Sequence, residues 1–175
     1  FNVERKDERL EKARNDVYSA ITETRKLSHA LVSPMVPEQQ ITTAIEELTK
    51  SLWLSGKIKL DLKFSGKKYL NGLDDKCKLT VYRITQEQVN NIMKYSRARN
   101  VRIHVNATGG EILVNISDDG VGFDTSTRSA GIGFRNIASR IKLYGGNMKI
   151  TSAPGEGCSL DVQIPHFQTA ISDDV

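Results

Sequence analysis

EILVNISDDGVGFD, residues 111–124, alternates apolar and polar side chains until it meets two aspartates and two glycines. Successive side chains of a strand point to opposite faces, so Ile112, Val114 and Ile116 share one face. Parity carries Asp118 onto that same face and Asp119 onto the other. An alternating strand buries one side only, so a second layer is expected over the isoleucine face.

The chain around this strand supplies that layer. Upstream, VRIHVNA (101–107) alternates in the same way and is joined to it by Thr108-Gly109-Gly110, a hairpin turn. Earlier still, IKLDLKF (58–64) reads as a third strand, with Lys57, Lys59 and Lys63 as its solvated side first and an anion patch as the alternative. Downstream, NMKITSA and CSLDVQIP turn at Pro154-Gly155-Glu156-Gly157. Helical periods fall between the strands. Residues 38–54 carry Ile41, Ile45, Leu48, Leu52 and Trp53; residues 74–96 are rich in helix formers; GFRNIASRIKLYGG (133–146) follows a glycine-rich loop. This order predicts an α/β fold, a two-layer sandwich of one sheet with helices on one face.

Ahead of it, residues 3–31 read as one long helix with a narrow seam of Leu10, Val17, Ile21, Thr24 and Leu31. Such a seam suits a bundled partner helix, and the plainer alternative is a surface helix on its own domain. Pro34 and Pro37 break it. The expected organisation is therefore helix 1–33, hinge 34–37, domain 38–166 and tail 167–175.

Composition narrows the function classes. Of 175 residues, 38% are hydrophobic and 26% charged, which excludes a disordered chain. No apolar run approaches the ~18 residues of a membrane span. The opening FNVERKDERL has no signal core and reads as a cut within a longer protein. Cys77 and Cys158 stand apart, as expected of unpaired thiols, and the three histidines are too scattered for zinc. The net charge of +4 is dispersed, and no motif supports a nucleic-acid partner.

Three segments carry chemistry. In the 74–96 helix, Val81, Tyr82, Ile84, Val89, Ile92 and Met93 cover most of the circumference, which implies burial. Arg83, Glu87, Asn91 and Lys94 form one polar stripe. A bound ion and phosphate would satisfy them: Asn91 through its amide oxygen on magnesium, Glu87 on the ion's waters or on an attacking group, Lys94 against phosphate charge. An internal Arg–Glu ion pair is the plain alternative. In DDGVG, Asp118 can accept from the amino group of adenine and would reject guanine, while Gly120 and Gly122 let a flat base approach the backbone. A simple Asp-Asp-Gly turn is the alternative there. In SAGIGFRNI, Gly131-Ile132-Gly133 lead into a helix whose free amides suit phosphate. The small, polar residues between Gly122 and Gly131 read as a lid, in which Arg128 could touch phosphate or simply face solvent. No Walker motif is present.

In this order, QEQVNN, DDGVG and GIGFRNI resemble the ATP-binding catalytic domain of sensor histidine kinases, of the superfamily that includes gyrase, a heat-shock chaperone and the MutL mismatch-repair ATPases. The resemblance spans about residues 38–165, and RKLSHALVSP resembles the end of the dimerisation helix in the NarX- and DesK-like branch. It implies a Bergerat-type mixed sheet backed by helices. It also implies ATP and Mg2+ as ligands, with Asn91 on the metal, Glu87 as the acidic catalytic residue and Lys94 on phosphate. Asp118 would bind adenine with Gly120 and Gly122 beside it, and Gly131, Ile132 and Gly133 would line the phosphates. Tyr95 departs from the family's usual His, and Cys158 from its Thr or Ser. No histidine is followed by an acidic residue: His29 precedes Ala30, His104 precedes Val105 and His166 precedes Phe167. The acceptor histidine is therefore expected outside this chain, on a dimeric bundle, with a response regulator as the next acceptor and a cytoplasmic setting. The alternatives are a serine kinase of the anti-sigma-factor type or a nucleotide-binding scaffold without catalysis.

Overall fold

The computed structural model describes residues 40–54, 56–126 and 132–166. The expected helix at 3–31, the hinge, His29, Arg128, Gly131 and the tail lie outside the described residues, as does the side chain of Ile132.

Helix α1 (Ile41–Leu54) precedes strand β1 (Lys59–Ser65) and a short helix α2 (Lys67–Asn71). Helix α3 (Asp75–Asn91) continues into a π-helical turn, Ile92–Ser96. Then come β2 (Asn100–Ala107), β3 (Glu111–Asp118), α4 (Ile132–Lys142), β4 (Asn147–Ser152) and β5 (Cys158–Pro165). The five strands form one mixed sheet in the order β1-β2-β3-β5-β4. The β1–β2 pair is parallel and the other three pairs are antiparallel. The parallel pair needs a crossover, and α2 with α3 provides it. Helix α2 was not expected from the sequence: five residues behind Gly66 are too short to display a period.

Alternation decides which face is covered. Val101, Ile103 and Val105 of β2, Ile112, Val114 and Ile116 of β3, and Leu160, Val162 and Ile164 of β5 are all buried. Helices α1, α3 and α4 meet this face with Ile41, Ile45 and Leu52, with Val81, Ile84 and Val89, and with Ile137 and Ile141. Each such side chain contributes about 1.5–3 kcal/mol on burial. The opposite face is polar. There Asn115 donates to Asp161 at 2.5 Å, Gln163 to Glu111 at 2.6 Å, and His104 lies 3.1 Å from Asp61. The expected sandwich with helices on one face is what the chain forms.

Two apolar expectations are corrected. Trp53 is 67% exposed and Met93 47% exposed. Each follows a buried seam residue, Leu52 or Ile92, by one position, and that step of about 100° turns it off the core. Met93 also sits in the π turn, where the helix widens.

Asp74 starts α3, its carboxylate accepting from the Cys77 amide at 2.9 Å. The helix ends at Arg97, whose φ of 54° is left-handed. Ser96 is buried just before it, its hydroxyl donating to the Ile92 carbonyl and accepting from the Ala98 amide.

Candidate functional site

The aspartates that end β3 have separate roles. Asp119 Oδ1 accepts from the backbone amides of Arg99 and Asn100, both at 2.8 Å, and Oδ2 accepts from the Asn100 side chain at 2.6 Å. The hydrogen bonds from Asn100 hold its carboxyl below the usual carboxylate range. Asp119 thus pins the start of β2 to the end of β3.

Asp118 lies on the helix side by parity and is half-buried. Its Oδ1 accepts from the Gly120 amide at 3.0 Å. Burial pushes its pKa up, the Gly120 amide opposes that, and the charge of Asp119 adds to it. A carboxylate has about four acceptor positions, so this one retains capacity for a further donor.

The glycines of DDGVG are required by the chain itself. A Cβ on Gly120 would lie 2.1 Å from the Ser96 carbonyl oxygen. One on Gly122, whose φ is 57°, would lie 2.0 Å from the Ala153 carbonyl oxygen. Val121 completes the clasp, its amide donating to Ser96 and its carbonyl accepting from Gly155, both at 2.7 Å. This is a second reason for glycine, beside the sequence-based expectation that the glycines make room for a base. The atoms that demand glycine here are those of the π turn and of the β4–β5 hairpin.

Cys158 stands opposite Asp118 across the β3–β5 pair. It is buried, and burial pushes its thiol up to about 11, so it is neutral. Gln88 of α3, 1% exposed, donates its amide to Cys158 Sγ at 3.9 Å. Its carbonyl accepts from the Asn91 side-chain amide at 3.5 Å. A continuous contact therefore runs from Asp118 on the sheet, through Cys158 and Gln88, to Asn91 on the helix.

On the same helix Arg83, Glu87 and Asn91 are half-buried, at i, i+4 and i+8 as expected. Lys94 is exposed and lies in the π turn, where 3.6-residue spacing no longer applies. The stripe thus holds for three residues and is reset for the fourth. Arg83 donates to Gln86 Oε1 at 2.8 Å, and burial with the nearby charge of Arg140 lowers its pKa.

The third segment meets this helix directly. Gly133 is the second residue of α4, inside the helix rather than before it. A Cβ there would lie 2.1 Å from Glu87 Oε1. Phe123 and Phe134, flanking the stretch 124–133, bring their rings to 6.1 Å. Gly133 of α4 therefore packs on Glu87 of the helix stripe, and the Gln88–Cys158 contact ties that stripe to the strand end. Sequence reasoning missed Gln88, although one signal was available: it continues the buried seam Val81, Ile84, Thr85, a place where a polar residue needs partners. Among the described residues no three His, Cys, Asp or Glu side chains form a group that could hold a metal.

A family model described as "Histidine kinase-, DNA gyrase B-, and HSP90-like ATPase" matches residues 77–168. The chain belongs to this ATPase family. The match takes in Glu87, Asn91, Lys94, Asp118, the glycines of both loops and Cys158. Relatives of this ATPase domain include the sensor histidine kinase ComP of Bacillus subtilis, 25% identical over 160 residues, or 90% of this chain and 20% of ComP. The sensor histidine kinase MctS of Rhizobium johnstonii is 28% identical over 83% of this chain and 32% of its own length. The chain thus spans a third or less of these curated relatives. The histidine kinase domain of the Erythrobacter litoralis EL346 blue-light activated histidine kinase shares the fold, with a TM-score of 0.61 at 15% identity, over 77% of this chain and 64% of that one. Full-length ShkA in complex with AMPPNP superposes with a TM-score of 0.58 at 17% identity, over 81% of this chain and 33% of that one. Among the described residues no helix is long and apolar enough to cross a membrane.

Proposed function

We propose that this chain is the ATP-binding catalytic portion of a cytoplasmic two-component sensor histidine kinase. What supports this is the set of contacts that joins a half-buried carboxylate with acceptor capacity to spare, Asp118, through Cys158 and Gln88 to Asn91, with Gly133 of α4 against Glu87; the proposed nucleotide cleft would run along it. Asp118 would accept from the adenine amino group, and its neighbour Cys158 would complete that wall. The amides of Gly131, Ile132 and Gly133, with Lys94, would hold the phosphates.

Mg2+ prefers oxygen ligands, keeps several waters and is usually shared with substrate phosphates. A single amide oxygen on α3 fits that habit. Asn91 would hold the ion with ATP, which supplies charge neutralisation at the β- and γ-phosphates. Glu87, held against Gly133, would polarise the attacking imidazole or order the ion's waters. The γ-phosphoryl group would leave ADP and bond to a histidine nitrogen on a dimeric helical bundle of the same protein, and then pass to a response regulator. The stretch 1–33 is proposed as the second helix of that bundle, 34–37 as the hinge and 38–166 as the catalytic domain.

Calorimetric titration of ATP, ADP and GTP, with and without Mg2+, tests the proposal. ATP and ADP should bind and GTP should not. Equal affinity for GTP would refute the adenine assignment, and no nucleotide binding would refute the whole. With labelled ATP the chain should phosphorylate a supplied acceptor bundle and not itself.

A further inference from the structure

The amide of Gln88 occupies a place where both of its ends are used. It is 1% exposed, on the covered side of α3, against Cys158 of the sheet. Its nitrogen faces a thiol sulfur and its oxygen faces the nitrogen of Asn91. In this structure the Gln88 NH2 points to Cys158 Sγ and the Gln88 oxygen points away from it, toward Asn91. That oxygen can only accept, so Asn91 must turn its NH2 inward. The Asn91 oxygen is then the end left toward the cleft. The polarity of the Asn91 amide follows from that of the Gln88 amide behind it.

We infer that Gln88 is a positioning residue that sets which end of the Asn91 amide faces the cleft, presenting the oxygen to a divalent cation. This rests on the proposed function. A free asparagine amide presents its donor and its acceptor with similar ease, and a cation can use only the acceptor. Fixing the flip in advance removes that ambiguity. Groups that orient a metal ligand typically influence metal affinity by about 10–100-fold. The effect is expected at the lower end here, because phosphates and water share the ion.

Two variants and one spectrum test the inference. Gln88→Met keeps the buried volume and removes both polar ends. Gln88→Glu keeps an oxygen facing Asn91 whether its carboxyl is ionised or not. Adenosine affinity, Mg2+-free ATP affinity and the Mg2+ concentration that half-saturates the ATP complex are measured by calorimetry. Gln88→Met should leave the first two within about twofold and raise the Mg2+ midpoint about tenfold, and Gln88→Glu should restore most of that change. An unchanged Mg2+ midpoint in Gln88→Met overturns the inference, as does an equal loss of adenosine and Mg2+-ATP binding or a failure of Gln88→Glu to restore. Should Gln88→Met not fold, the nitrogen-15 spectrum of the unaltered chain and the Gln88→Glu titration decide. The Asn91 side-chain NH2 should show hydrogen-bonded shifts and slowed rotation against the exposed Asn90; identical behaviour of the two overturns the inference. Wild-type protein that binds no ATP removes the proposed function and this inference together, whereas normal wild-type binding with a negative Gln88 result removes the inference alone.

Discussion

Replacing Asp118 with Asn separates ligand recognition from folding. Asparagine can keep the intraloop bond, because its carbonyl oxygen can still accept from the Gly120 amide as Oδ1 does at 3.0 Å. The other carboxylate oxygen becomes an NH2, which places a donor against the donor of adenine. Loss of a hydrogen bond to a charged group is worth about 1.5–3 kcal/mol, so ATP and adenosine affinity should fall roughly 10- to 150-fold. Folding should not suffer. Burial raises the folded pKa of Asp118 above its ordinary 3.8, so the stability linked to this group is fully present below the unfolded value and lost as pH rises through the folded one. At neutral pH the ionised carboxylate is therefore a burden on the fold, and a neutral amide removes it. Calorimetry should show the affinity loss while thermal melting of the ligand-free protein stays level or rises. Wild-type affinity in the variant would refute the adenine role of Asp118. A marked drop in melting temperature would refute the account of its electrostatics.

Asn91→Ala should spare adenosine binding and reduce Mg2+-dependent ATP binding by calorimetry; an equal loss of both would contradict the metal role. Gly133→Ala should leave thermal stability near wild type, because the atom its Cβ meets is the movable end of Glu87, yet should slow phosphotransfer to a supplied bundle. Gly122→Ala, by contrast, drives a Cβ into the Ala153 carbonyl at a positive φ and should destabilise by more than about 1 kcal/mol in denaturant titration. Asp119→Ala should weaken folding by about 1 kcal/mol after allowance for solvent screening, with nucleotide affinity little changed once the protein is folded. Since the Asp119 pKa is held down, its contribution is present above the unfolded value of about 3.8 and disappears as pH falls through the folded one. Acid melts of wild type and variant should therefore converge at low pH.

Periodicity is local, and most of what depends on it was legible in the chain. Alternation in β2, β3 and β5 assigned the covered face and put Asp118 on it. The 3.6-residue period placed Glu87 and Asn91 on one side of α3, and glycines marked the loops that come together. What a single segment cannot encode is which atoms of another segment it will meet. The glycines of DDGVG answer to the Ser96 and Ala153 carbonyls, both distant in sequence, a requirement the segment itself does not display. The π turn at Ile92–Ser96, which moves Lys94 off the expected stripe, is closed in part by a buried serine and by the loop that docks on it. Gln88 looked like one more polar helix residue until packing put a sulfur on one side of it and Asn91 on the other. Sequence alone determined the five strands and the three longer helices of the described residues, most of their faces and the residue types able to do chemistry, because those follow from backbone geometry and side-chain type. Only the tertiary structure decided how those residues are oriented, because orientation follows from hydrogen-bond partners that burial brings together from strands and helices far apart in the chain.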